Sequence, residues 1–263
     1  MPELEIVRPA GLLDYAEGLA LQRDLHADVV AGRSPGALVL CEHPSVYTAG
    51  RRTEPSDLPT NGAPVVEVDR GGRITWHGPG QLVAYPIVRL AVPFDVVAWV
   101  RDLEQVIIDA AATVGVEARR IDGRSGAWTS GSAPTTTAVP TPGSAPTTGT
   151  PPAKVGAIGL HVAEGVTTHG IAINCDNALD AYAAIVPCGI ADAGVTTLSA
   201  AAGRPVTVVD LADVVVDRIR AAEHGMRTGQ RIGSAAQSTT TAPITTADTT
   251  SPSTAPARQE TLV

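Results

Sequence analysis

The strongest limit on how this chain can fold is a stretch with too little apolar surface to fold at all. Residues 131–152 hold six prolines, seven threonines and no charged side chain. Such a segment cannot bury enough apolar surface to offset the entropy lost on ordering, so a disordered insert is expected there. A second stretch, rich in Ser, Thr, Ala and Pro, closes the chain, and 226–263 is expected to be a disordered tail. What remains is one catalytic-sized domain over residues 1–225, interrupted by the insert. Hydrophobic residues make up 44% of the chain but only eight residues are aromatic, so the core must be built mainly of Val, Leu, Ile and Ala.

Periodicity sorts the rest into short strands and a few helices. Helices are expected over 12–31, from Asp95 as N-cap to about 114, over 178–184, and from Asp210 as N-cap to about Glu223, where His224-Gly225 would end it. Strands are expected at 37–41, 65–69, 73–76, 81–90, 116–121, 127–129, 154–162 and 167–175. Gly71-Gly72 between two of them reads as a hairpin turn, and Pro86 interrupts another. The mixture points to a single α+β (mixed α/β) domain of mixed β-sheets with flanking helices.

The net charge of −8 speaks against a general nucleic-acid binder. No run reaches the ~18 apolar residues of a membrane span, and Met1–Glu5 lacks the build of a signal peptide. A cytoplasmic protein with no membrane or nucleic-acid partner is expected. The three cysteines, Cys41, Cys175 and Cys188, are odd in number and far apart, which argues against disulfides. No spacing suits a metal, so neither metal nor cofactor is expected.

Eighteen arginines accompany a single lysine, Lys154. Arginine keeps its proton in proteins, whereas lysine can release one. Lys154 is therefore a candidate for proton chemistry, although chance in an Arg-biased chain gives the same count. Pro187-Cys188-Gly189-Ile190 sets a cysteine in a tight loop with backbone N–H groups nearby, as a thioester-forming nucleophile requires. A lone cysteine is more often a small packing residue, and that is how Cys41 and Cys175 are read. Arg70-Gly71-Gly72-Arg73-Ile74-Thr75-Trp76-His77 brings paired glycines and a histidine together, either as a ligand loop or as two tight turns flanking a strand. A Cys–His pair using His77 or His169 competes with a Cys–Lys pair.

Taken together, four segments resemble the lipoate-protein octanoyltransferases. Arg70 to Gln81 is similar to that family's RGGxxTxHGPGQ signature. Lys154 to Gly159 resembles its KxxAIG segment, Gly170 to Cys175 its G-hydrophobic-A-hydrophobic-NC strand, and Ile185 to Ile190 its IxPCGI loop. The resemblance spans most of residues 11–222. It implies a fold shared with biotin and lipoate protein ligases. It also implies transfer of an octanoyl group from octanoyl-acyl carrier protein to a lysine of lipoyl domains, those of 2-oxoacid dehydrogenase complexes and the glycine cleavage H protein, by a monomer. By motif position, Cys188 and Lys154 would be catalytic. Arg70, Gly71, Gly72, Arg73, Ile74, Thr75, Trp76, His77, Ala157, Ile158, Gly159, Gly170, Ile171 and Ala172 would bind substrate. An ATP-dependent lipoate or biotin ligase is the alternative within the same superfamily.

Overall fold

The computed structural model describes residues 3–130, 151–185 and 193–233. The expected disorder of the insert and tail falls largely outside those residues, as does the loop that carries Cys188.

The fold is the expected mixed α/β architecture. Its strands are β1 (Glu5–Val7), β2 (Ala37–Cys41), β3 (Val46–Ala49), β4 (Val65–Glu67), β5 (Thr75–His77), β6 (Gln81–Ile87), β7 (Ala118–Ile121), β8 (Arg124–Thr129), β9 (Ala153–Ala163), β10 (Val166–Asn174) and β11 (Gly194–Val195). The α-helices are α1 (Tyr15–Val30), α2 (Val96–Thr113), α3 (Leu198–Ala202) and α4 (Val208–Thr228); Pro55–Asp57 is a short 3-10 helix, and so is Asp180–Ala184, where a helix over 178–184 is expected. The large sheet runs β1-β2-β6-β10-β9-β8-β7, with β11 added beside β9; a small sheet has the order β4-β3-β5. Leu103, Ile107, Leu211, Val215 and Ile219 of α2 and α4 pack with Leu82, Ile173 and Val155 of the large sheet. Val29 of α1 packs with Val39, Val83 and Ile87, and Trp76, Tyr182 and Ile185 form a third cluster. Among the described residues no helix is long and apolar enough to cross a membrane.

Several local expectations are corrected. β4 and β5 do not form a hairpin; each pairs with β3 between them. The run Val46-Tyr47-Thr48-Ala49 has strand composition, but its four residues lie against Pro44 and are easily passed over. Thr207, not Asp210, caps α4: Asp210 is its third residue and accepts from the Thr207 N–H at 2.8 Å, closing a capping box. Gly225 does not end that helix. A Cβ there would lie 2.3 Å from the Gln230 carbonyl, so the glycine permits a close backbone approach, and the left-handed stop is Gly229, φ 78°. Pro86 stays within β6, and the regular β6–β10 ladder ends at the Ile171–Ala84 pair. Beyond it, the Thr167 hydroxyl donates to the Pro86 carbonyl at 2.6 Å and accepts from the Val88 N–H at 3.0 Å.

Candidate active site

Arg70 begins the glycine-rich loop, yet its side chain turns back into the protein. One guanidinium nitrogen donates to the Thr48 carbonyl and hydroxyl at 2.7 and 2.9 Å; another donates to the carbonyls of Gly71 and Arg73 at 3.0 and 2.8 Å. Satisfying so many backbone acceptors with one buried cation ties the loop to β3. Gly159 on β9 leaves room for it, since a Cβ there would sit 2.7 Å from Arg70 Cδ. The Gly71 N–H donates to the Leu160 carbonyl at 2.7 Å, fastening the loop across the large sheet. Arg73 is held by Asp57 at 2.6 Å and Glu54 at 2.8 Å.

Between this loop and the sheet lies a cleft of about 580 Å³. Of the expected binding residues it brings together Arg70, Gly72, Arg73, Thr75, His77, Ala157, Ile158, Gly159, Gly170, Ile171 and Ala172, with Lys154. Gly71, Ile74 and Trp76 do not line it. Ile74 is fully buried in the third core cluster, and Trp76 packs there on Tyr182 while its indole N–H donates to Ser45 at 2.8 Å. Tyr15, Val83, Tyr85 and the Gly123–Ser125 turn also line the cleft, as do Arg52, Glu54 and His169. No sequence motif marks Tyr15, Val83 or Tyr85: Tyr15 opens a helix, and Val83 and Tyr85 are alternate residues of a strand that reads as ordinary core.

A β-bulge aims Lys154. Trp128 of β8 pairs with Lys154, but its neighbour Ala127 pairs with Gly156, leaving Val155 as the extra residue. Val155 and Gly156 therefore both face the core, where a Cβ on Gly156 would meet Ile107 at 2.6 Å. Lys154 and Ala157 both face the cleft. Lys154 is 6% exposed, and its Nζ lies 4.7 Å from the centroid of the Trp128 ring. Among the described residues it forms no ion pair or hydrogen bond through Nζ. The aromatic face attracts the cation but does not replace an anion. Cys188, the other expected catalytic residue, lies outside the described residues. The described residues that follow its segment lie beside Lys154: Val195 of β11 pairs with Lys154, and the Thr196 N–H donates to the Lys154 carbonyl at 3.0 Å. On the other side, Ile185 packs in the cluster that holds Trp76.

The remaining cysteines are packed away. Burial pushes the thiols of Cys41 and Cys175 up to about 12, far from the thiolate form that a nucleophile needs.

Three histidines lie in or beside the cleft. His43 is fully buried; its Nδ1 donates to the Leu13 carbonyl at 2.6 Å, which leaves Nε2 to accept from the Tyr85 hydroxyl at 2.8 Å. His169 meets Asp69 at 2.7 Å and adopts a left-handed backbone, φ 58°. His77 stacks on Tyr15 with ring centroids 6.0 Å apart. Burial lowers the pKa of all three, that of His77 to about 3. The unfolded chain, with ordinary imidazoles, therefore takes up protons that the folded chain refuses. Stability is expected to be complete above the usual histidine pKa of ~6.5 and to fall as the pH drops through it. His77 alone contributes up to about 1.4 kcal/mol per pH unit, continuing toward pH ~3. Urea denaturation at pH 7.5, 6 and 5 measures this, and a midpoint unchanged across that range would contradict it.

Among the described residues no group of His, Cys, Asp or Glu is placed to hold a metal ion.

The sequence profile of the lipoyl protein ligase A/B catalytic domain matches residues 14–220. An octanoyltransferase of Clavibacter sepedonicus is 57% identical over 82% of this chain and 88% of its own length. One of Salinispora tropica is 56% identical over 81% of this chain and 93% of its own. Among solved structures, the bipartite lipoate protein ligase of Thermoplasma acidophilum superposes with a TM-score of 0.58 at 13% identity, covering 83% of each chain. The biotin protein ligase of Aquifex aeolicus does so with a TM-score of 0.50 at 12% identity, over 85% of this chain and 72% of that one. At such low identity these two likenesses speak for the fold alone. The profile and the high identity to its relatives establish that the chain belongs to the octanoyltransferases of the lipoyl protein ligase A/B catalytic-domain family.

Proposed function

We propose that the chain, working in the cytoplasm, transfers an octanoyl group from the thioester of an acyl carrier protein to a lysine of a lipoyl domain, through a thioester on Cys188. The observation that carries this reading is Lys154, a buried ammonium in the cleft with no anionic partner among the described residues. An isolated buried charge is costly. A thiolate beside it relieves that cost and is itself favoured by the cation. In the first half-reaction the Cys188 thiolate attacks the donor's carbonyl carbon, the new C–S bond replaces the old, and the departing carrier thiolate takes a proton from Lys154. In the second, the acceptor amine attacks the acyl carbon, Cys188 leaves as thiolate, and the amine's proton returns to Lys154. One thioester is exchanged for another and then spent on an amide, so ATP is not needed. Val83, Ile158, Ile171 and Ala172 offer apolar lining for the acyl chain.

Supplying two alternative donors tests the reading. Octanoyl-acyl carrier protein should octanoylate a lipoyl domain without ATP, and free octanoate plus ATP should not. Turnover with octanoate and ATP would favour a ligase instead.

A further inference from the structure

A chain of three amides and carbonyls fixes where the hydrogen of His77 sits. Asn174 Nδ2 donates to the Thr196 carbonyl at 3.1 Å, so its Oδ1 faces Gln81 as an acceptor. Gln81 Nε2 donates to that Oδ1 at 2.9 Å and to the Trp76 carbonyl at 3.3 Å. The Gln81 carboxamide is thereby oriented with Oε1 toward His77, 2.7 Å from Nδ1. A carbonyl oxygen only accepts, so Nδ1 carries the hydrogen. Because the ring is neutral, Nε2 is a bare lone pair. His77 is 7% exposed and lines the cleft, and among the described residues its Nε2 has no donor.

Nε2 is not sealed from the cleft, and an acceptor that loses its solvent as substrate enters needs a donor from that substrate. The octanoyl chain and its thioester bring no N–H or O–H to the reacting carbon, but the incoming amine does. We propose that His77 Nε2 accepts a hydrogen bond from the ε-amine of the acceptor lysine and turns the nitrogen lone pair toward the acyl carbon. This rests on the acyl-transfer reading above. In that step the C–N bond forms, the C–S bond breaks, and sulfur leaves with the electron pair. One amine proton passes to Lys154. The other stays on nitrogen and remains hydrogen-bonded to His77 in the product amide.

Single-turnover kinetics of the two half-reactions test this. Formation of the octanoyl-enzyme is followed by intact mass, and its discharge is followed on addition of a lipoyl domain. In His77→Phe, which keeps a ring against Tyr15, discharge should slow about 10- to 100-fold more than formation, the loss of one hydrogen bond to a reacting group. His77→Gln places a carbonyl oxygen near the Nε2 position, whereas His77→Asn reaches only as far as Nδ1. The Gln variant should therefore discharge faster than the Asn variant, a comparison that decides even where the Phe variant does not fold. Equal slowing of both half-reactions would overturn the proposal in favour of a histidine acting on the nucleophile, as would Asn outperforming Gln. A wild-type chain that forms no octanoyl-enzyme would instead remove the acyl-transfer reading, and this proposal with it.

Discussion

Incubated with octanoyl-acyl carrier protein, the wild-type chain is expected to gain the mass of one octanoyl group, and Cys188→Ala is expected to gain none. The chemistry behind this large effect is elimination as much as resemblance. Of three cysteines, Cys41 and Cys175 are buried in strands or at a strand end with thiols pushed up to about 12. At pH 7 to 8 such thiols are almost wholly protonated, and the thiolate is the attacking species. Cys175→Ala and Cys41→Ala should therefore both keep the adduct. Transfer to a lipoyl domain should fall by at least about 10³-fold in Cys188→Ala, since loss of a covalent nucleophile leaves only binding and proximity to act. An adduct that survives Cys188→Ala would sink the assignment.

Lys154→Arg is expected to cost about 10²- to 10⁴-fold in turnover, the range that a positioned acid–base group contributes. The substitution is informative because so much is kept. Arginine remains cationic and also stacks on aromatic faces, so Trp128 can still hold a cation there. What is lost is the ability to give a proton to the leaving thiol and take one from the amine. Rates measured for each half-reaction should both fall. Near-wild-type turnover in Lys154→Arg would mean that the site needs only a positive charge.

The sequence makes the chemistry of this fold more legible than its geometry. Lys154 stands out as the one lysine, and the elements around it follow from alternation and caps. The bulge at Val155 has no signature, because Lys-Val-Gly-Ala reads as an ordinary strand. The bulge arises from register against β8, a long-range property. Arg70 lines the cleft as expected, but its bracing role is hidden for a related reason. A cation beside two glycines suggests a ligand contact; the structure adds that its guanidinium also donates to carbonyls of β3 and of its own loop. Whether an arginine faces outward or braces a backbone depends on which strand lies beneath it, and β3 is the strand that the sequence hides best. His77 shows the converse. Its position in the motif is plain, but its hydrogen is fixed by Gln81 and Asn174, which meet only when β6 and β10 pair.

The pairing of Thr129 with Ala153 carries a consequence for the segment between them. The Thr129 hydroxyl donates to the Ala153 carbonyl at 3.3 Å, so both ends of that connection are fastened side by side by neighbouring strands. Where the ends of a connection are already held together, chain entropy makes each doubling of its length cost only about 0.6 kcal/mol. Stability thus exerts almost no pressure on how many residues join β8 to β9. The lysine that follows immediately is set by the strand register and not by the length of chain before it, so residues can be added or removed at this joint without moving the ammonium.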